Sequence, residues 1–417
     1  MAVTATCFAF SLSCGAQPLQ TEAPRVAVTD LLPESAVSGP LFSLPPIVPI
    51  QNYLGQFELR STYGVFNVSG RRMLAVREAE LPAIQALDQV NKTDAFQQSL
   101  TQAASAPVQL VRSAVTNPAG TVENLASGLG TIFGRIGRVA EVGVNAVVDK
   151  ATDLSSGAQP STAAPSAGGP APPLFTGDPF GYNKARREWA KKLNIDPYTT
   201  NPVLRPKLDQ AAAASFAGSF AIDTALGLAA APLQYAVEFD DTVRDSVWNV
   251  PAIDLQSRNQ ATLTAMGIDG RVVRDFFRNR WFTPTLQTAL VTALEQFPGA
   301  TGRESVIRDA TTVEGEVRAR ALVNGVRALA VHQSSTGRFK SITASGVLVA
   351  GVALSGERVV AADLDYVWWN AQAAEFARRP GITERRKLVL VTGRVDEDAR
   401  RGLERAGWRV VADAPIK

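Results

Sequence analysis

The run Leu388–Asp396 (LVLVTGRVD) is a β-type segment entering a turn at Thr392-Gly393-Arg394, the outline of a strand–turn–helix that holds phosphate. It carries one glycine and neither the GxGxxG spacing nor a Walker lysine, so few backbone donors would meet an anion there. Asp396 reads more simply as the N-cap of the helix that follows. Asp363 and Asp365 close the preceding strand, and Asp240, Asp241 and Asp245 lie close together. Such acidic groups suit Mg²⁺ or Ca²⁺ through oxygen ligands, but EF-hand spacing is absent and a solvated acidic face is the expected reading.

His332, the one histidine, ends a long helical pattern just before Ser334 and Ser335. The chain has no GxSxG elbow, and a cation at a helix C-terminus accounts for the histidine without a Ser–His pair. Arg278, Arg280 and Trp281 join cations to an aromatic, and Trp368-Trp369 is an aromatic pair. These compositions mark protein interfaces, and equally cores in which arginine stacks on an indole. Packing is the expected reading and an interface the alternative.

Two cysteines, Cys7 and Cys14, lie within the first fourteen residues. With none after Cys14 and a single histidine, the body holds neither a disulfide nor a zinc site of the usual His/Cys kinds, and no cofactor is expected. The net charge of +3 is the difference between 42 basic and 39 acidic residues, interleaved along the second half rather than gathered into a stripe. That pattern argues against a nucleic-acid partner.

Ala2–Ala16 is apolar or small and uncharged, of the length of a signal h-region, with Cys14-Gly15-Ala16 as a cleavage or acylation site. Ser11-Leu12-Ser13-Cys14-Gly15 resembles the lipobox of bacterial lipoproteins, with Ser11 where that pattern has leucine. The resemblance implies lipidation at Cys14 and an exported chain; a cytoplasmic chain is the alternative.

The elements that must position these groups follow from periodicity. Alternation over Tyr53–Leu59 and Tyr63–Val68 predicts a β-hairpin, and Met73–Val90 switches to helical spacing, with Pro82 expected to kink it or start a second helix. Gly128, Gly130, Gly134, Gly137 and Gly143 then punctuate an apolar stretch. Gly130 and Gly134 have the spacing for close helix approach, and Arg135 and Arg138 suit contact with a membrane surface or partner; a floppy connector is the plainer alternative. Ser155–Pro173 has no large apolar side chain and reads as a linker between two separately folding halves. Ala211–Ala236, with Asp223 inside, reads as a buried helix pair and not as a membrane span.

Helices are predicted at about 183–193, 257–266, 269–279, 283–297, 301–310 and 314–331, then a β-β-α-β-α-β order in which Ser341–Leu354 pairs with Arg358–Asp363. The fold class is α+β, multidomain: a leader at 1–24, a β-hairpin/helix module at 25–92, a Gly-rich helical segment at 93–150, a linker at 151–177, a helical domain at 178–335 and a small α/β domain at 336–417. The function expected is that of an exported or lipid-tethered bacterial-type cell-envelope protein acting by binding a protein partner or membrane surface, without a recognisable catalytic site. The alternatives are a hydrolase or transferase using Asp, Arg and Ser between the helical block and the C-terminal sheet, and a cytoplasmic scaffold.

Overall fold

Short alternating runs at the N-terminal end pair into a curled antiparallel sheet: β1 (Arg25–Ala27), β2 (Ser38–Gly39), β3 (Phe42–Ser43), β4 (Ile47–Gln51), β5 (Leu54–Ser61) and β6 (Gly64–Ser69). The computed structural model describes residues 19–105, 181–216, 239–379 and 382–416. The predicted hairpin is β5–β6, in register from Gln56↔Ser69 to Ser61↔Gly64. β4 and β5 are joined by Asn52 and Tyr53, both at positive φ (49° and 66°), the conformation of a tight primed hairpin turn. An aromatic residue rarely occupies it.

After a short helix α1 (Val28–Leu31), α2 (Arg71–Asn91) runs unbroken through Pro82 and lays Leu74, Leu81, Ile84, Leu87 and Val90 on the sheet. Pro82 therefore begins no second helix. Burial of the stripe outweighs the roughly 3 kcal/mol cost of an interior proline. α3 (Asp94–Ser105) follows, and beyond residues 106–180 come α4 (Tyr182–Leu193) and α5 (Leu204–Phe216). The polar start of α5 is set by Asn201, whose Oδ1 accepts from the Val203 and Leu204 N–H groups.

The helical block continues with α6 (Asp241–Asn249), α7 (Ala252–Ala265), α8 (Gly270–Arg278), α9 (Pro284–Glu295), α10 (Arg303–Thr312) and α11 (Glu316–Thr336). Thr283 caps α9 with Pro284 at its first turn, as their types predict. The C-terminal sheet is built from β7 (Phe339–Ser345), β8 (Leu348–Ala353), β9 (Arg358–Ala362), β11 (Lys387–Val391) and β13 (Trp408–Val411), in the order β13-β11-β9-β8-β7; a separate short parallel pair joins β10 (Tyr366–Val367) to β12 (Arg394–Val395). β7, β8 and β9 are an antiparallel meander, and α12 (Ala371–Ala377) and α13 (Glu397–Arg405) carry the chain across to parallel β11 and β13. The run Ser341–Leu354, predicted as one strand, is two: Gly346 turns the chain at φ 62°. α11 packs on one face so closely that a Cβ on Gly325 would stand 2.8 Å from Val349 Cγ2. α12 and α13 pack on the other, with Gly402 against the Trp369 ring. The class is α+β.

The buried clusters group these elements differently from the boundaries read in the sequence. One joins Leu59, Leu81, Phe96 and their neighbours to Trp189, Leu193, Leu204 and Leu208 of α4 and α5, and reaches Trp368. A second runs from Phe239 through α8–α11 into Val349, Val359 and Leu390 of the C-terminal sheet. The 178–335 block is thus divided between two cores, and one of them joins residues up to Leu100 with residues from Tyr182 onward. Ser155–Pro173 itself lies outside the described residues.

Candidate functional site

One place brings together groups singled out above, and a second is built from residues that the sequence does not mark. The first lies where β9 and β11 end. Asp363 and Asp365 leave β9, Thr392 leaves β11, and the N-terminus of α2 faces them. Thr392 Oγ1 donates to Asp363 Oδ1 at 2.7 Å and Asn324 Nδ2 to Oδ2 at 2.8 Å. Arg327 Nη1 in turn donates to Asn324 Oδ1 at 3.0 Å. Asp365 Oδ2 accepts from the backbone N–H of Gly55 (2.8 Å) and of Arg71 (3.0 Å), with Arg71 Nε 3.8 Å from Oδ1. Gly70, at φ 88°, supplies no side-chain cap, so the Asp365 carboxylate serves as the cap of α2 from more than 290 positions away. Burial pushes this carboxyl up to about 6 despite the two N–H groups.

Tyr53 completes the joint. Its carbonyl accepts from the Asp365 and Tyr366 N–H groups at 2.9 and 3.1 Å, and its hydroxyl donates to Asn370 Oδ1 at 2.7 Å. Its ring lies 4.7 Å from that of Trp368. The left-handed turn is the conformation that aims ring, hydroxyl and carbonyl at one loop of the C-terminal sheet. The space left beside Asp363, Asp365, Arg72 and Arg320 is about 20 Å³. That is room for about one water molecule.

Behind this joint a buried polar chain ties α2 to α11. Glu80 accepts from Arg77 Nη1 and Asn201 Nδ2, each at 2.8 Å, and from the Thr199 hydroxyl. Arg320 donates to Glu316 Oε1 from Nε and Nη2 at 3.0 and 2.8 Å, and the Thr200 hydroxyl donates to Oε2. Burial alone would raise Glu316, but Arg320, Thr200 and Arg77 outweigh it and hold the carboxyl below its usual range. Asp196 accepts from Thr285 Oγ1 at 2.7 Å and is pushed up by burial.

The second place is an open groove of about 240 Å³ on the side of the C-terminal sheet away from α11. Leu348, Ala350 and Val360 form its floor, Phe376 and Ile382 a wall, and Arg358, Arg379, Thr343 and Ser345 its polar margin. Arg358 Nη2 donates to Glu384 Oε1 at 2.6 Å, a bond that holds Glu384 below the usual carboxylate range, while Arg358 Nε is buried without a hydrogen bond. Nothing in one dimension joins these residues, which come from three strands, α12 and the segment after it.

The remaining sequence-predicted groups fall elsewhere. Asp396 caps α13 through the Ala399 N–H at 2.6 Å. A Cβ on Gly393 would meet the Asp365 carbonyl oxygen at 2.3 Å, so the Thr392-Gly393 turn is filled by backbone where a phosphate would sit. Asp240 caps α6, and Asp241 and Asp245 flank Arg244. Among the described residues, no group of three or more His, Cys, Asp or Glu is placed to hold a metal ion. His332 is half-buried, with burial lowering its pKa, and its carbonyl rather than its ring takes the Ser335 hydroxyl. Arg280 stacks 4.6 Å over Trp281, which packs on the core, and Arg278 is exposed beside Asp275 at 3.9 Å. Trp368 and Trp369 are 6% and 4% exposed and pack in two different cores within the chain. Cys14, Gly130, Gly134, Arg135 and Arg138 lie outside the described residues. No helix among the described residues is long and apolar enough to cross a membrane. Compared with protein-family models, curated proteins and solved structures, the chain finds no match.

Proposed function

We propose that this protein acts by binding, at the cell envelope of a bacterium, as an exported or lipid-tethered chain. The observation that carries the binding half is a contrast between the two places. The strand-end carboxylates are engaged by Asn324, Thr392, Gly55 and Arg71 around space for one water, whereas the open groove is apolar-floored with cations at its margin. Ligand sites have the second character: mostly apolar walls and a few polar groups that orient. The hydrolase or transferase reading needed a deep pocket lined by Asp363 or Asp365, and the contrast favours binding over it.

The envelope half rests on the uncharged leader Ala2–Ala16 and on Cys14 in its lipobox-like setting. Fractionation of a bacterial host expressing the full chain, with intact mass of the product, tests it. A chain processed after Ala16 or acylated at Cys14 is expected in the envelope fraction. An unprocessed chain in the cytosol would sink this half and leave the scaffold reading.

A further inference from the structure

We propose that the groove over β7, β8 and β9 binds a short amphiphilic carboxylate, its apolar tail along Leu348, Ala350 and Phe376 and its headgroup on Arg379. The inference rests on the binding reading above and names the ligand class. A sheet face that meets water normally alternates polar residues against the buried ones. β8 does not: Val349 enters the core under α11, yet Leu348 and Ala350 on the opposite face are apolar too and only half-buried. α12 covers β9 but reaches no further than Phe376, which leaves this apolar strip as the floor of an open groove.

The charge around it has one sign to spare. Glu384 is taken up by Arg358, and Lys340 is near enough to act on the same carboxylate. The side chain of Arg379, exposed just past α12, has no hydrogen bond or ion pair among the described residues. One spare guanidinium, with Arg358 on the same margin of the groove, suits a single carboxylate, which arginine grips in a planar, charge-assisted fork. At about 240 Å³ the groove lies below the ~300–1,000 Å³ of drug-sized sites, so the tail is short.

Isothermal titration of the full chain with octanoate, 1-octanol and inorganic phosphate tests this, repeated on Arg379→Ala and Arg379→Lys. Arg379 is exposed, so an unchanged melting temperature shows that the variants fold. Octanoate should bind the wild type, weaken about tenfold in Arg379→Ala as a charge-assisted bond is lost, and recover in part in Arg379→Lys. Octanol should bind more weakly and ignore both substitutions. Octanol equal to octanoate, with no effect of Arg379→Ala, would overturn carboxylate recognition while leaving the groove a binding site. Phosphate binding as well as octanoate would reduce the site to an adventitious anion patch and overturn the inference. So would binding of neither octanoate nor octanol; capture by anionic lipid vesicles in that case would assign the cations to a membrane surface. Loss of the envelope reading shows separately, in the mass of the mature chain.

Discussion

Removing residues 1–177 takes the N-terminal sheet, α2 and α3 away from α4 and α5. Trp189, Leu193, Ile195, Leu204 and Leu208 are each at most 1% exposed in the full chain and belong to the core those elements complete. Part of their cover is mutual and survives. Exposing half of it, at ~1.5–3 kcal/mol for each of the five side chains, costs roughly 4–8 kcal/mol. The fragment also loses Arg77 and Glu80, the partners of Thr199, Thr200 and Asn201. The cluster running from α8 to the C-terminal sheet is untouched. Hydrogen exchange on 178–417 beside the full chain should therefore show protection at Tyr182–Leu193 and Leu204–Phe216 falling by roughly a thousandfold to a millionfold. β8, β9 and β11 should keep theirs. Full-chain protection of α4 and α5 in the fragment would refute the shared core and restore two self-sufficient halves.

Asp365 gives a pH signature of definite sign. Its folded pKa, about 6, stands above the 3.8 of a free aspartate, so the native state binds the extra proton between those values. Stability from this group is greatest below ~4 and is lost as pH rises through 6, by an amount on the order of 3 kcal/mol. Glu78, raised by burial to about 7, acts in the same direction. Urea melts between pH 4 and 7.5 should show the fall, and Asp365→Asn should flatten it; an unchanged slope in that variant would remove Asp365 as the cause. Gly402→Ala places a Cβ 2.4 Å from the Trp369 ring and should cost ~1–3 kcal/mol, read as a lower melting temperature, with a neutral result contradicting the close contact of α13. Glu80→Ala should cost more than Glu80→Gln, because the alanine strands Arg77 and Asn201 in the interior while glutamine keeps an acceptor; equal melts would mean the buried chain of polar groups contributes little.

Elements whose cause is local were legible. The β5–β6 hairpin follows from alternation, the Thr283-Pro284 start of α9 from cap chemistry, and Asp396 at the head of α13 from the same rule. Gly346 was the missed local signal, since its left-handed turn splits one apolar run into β7 and β8. What depends on contacts hundreds of residues apart was not legible. Asp365 looks like a surface acid at a strand end until α2 and the Asn52-Tyr53 turn arrive to use it. Glu80 and Arg77 have the spacing of an ordinary exposed helix pair, and only the loop Thr199–Asn201 and Glu316 reveal them as interior. For Trp368 and Trp369 packing is the expected reading, but adjacent indoles carry no sign that they point into separate cores. The groove has no one-dimensional trace, because its floor and margin come from β7, β8, β9 and the chain after α12.

The proposed function is that of a chain holding a ligand in that groove at the envelope. Native mass spectrometry of the full chain released from the envelope fraction, wild type beside Ala350→Trp, tests it most directly. A processed or acylated chain that carries a small adduct is expected, with the adduct missing when the tryptophan fills the groove. An unprocessed chain without adduct, or an adduct that Ala350→Trp leaves in place, would contradict it.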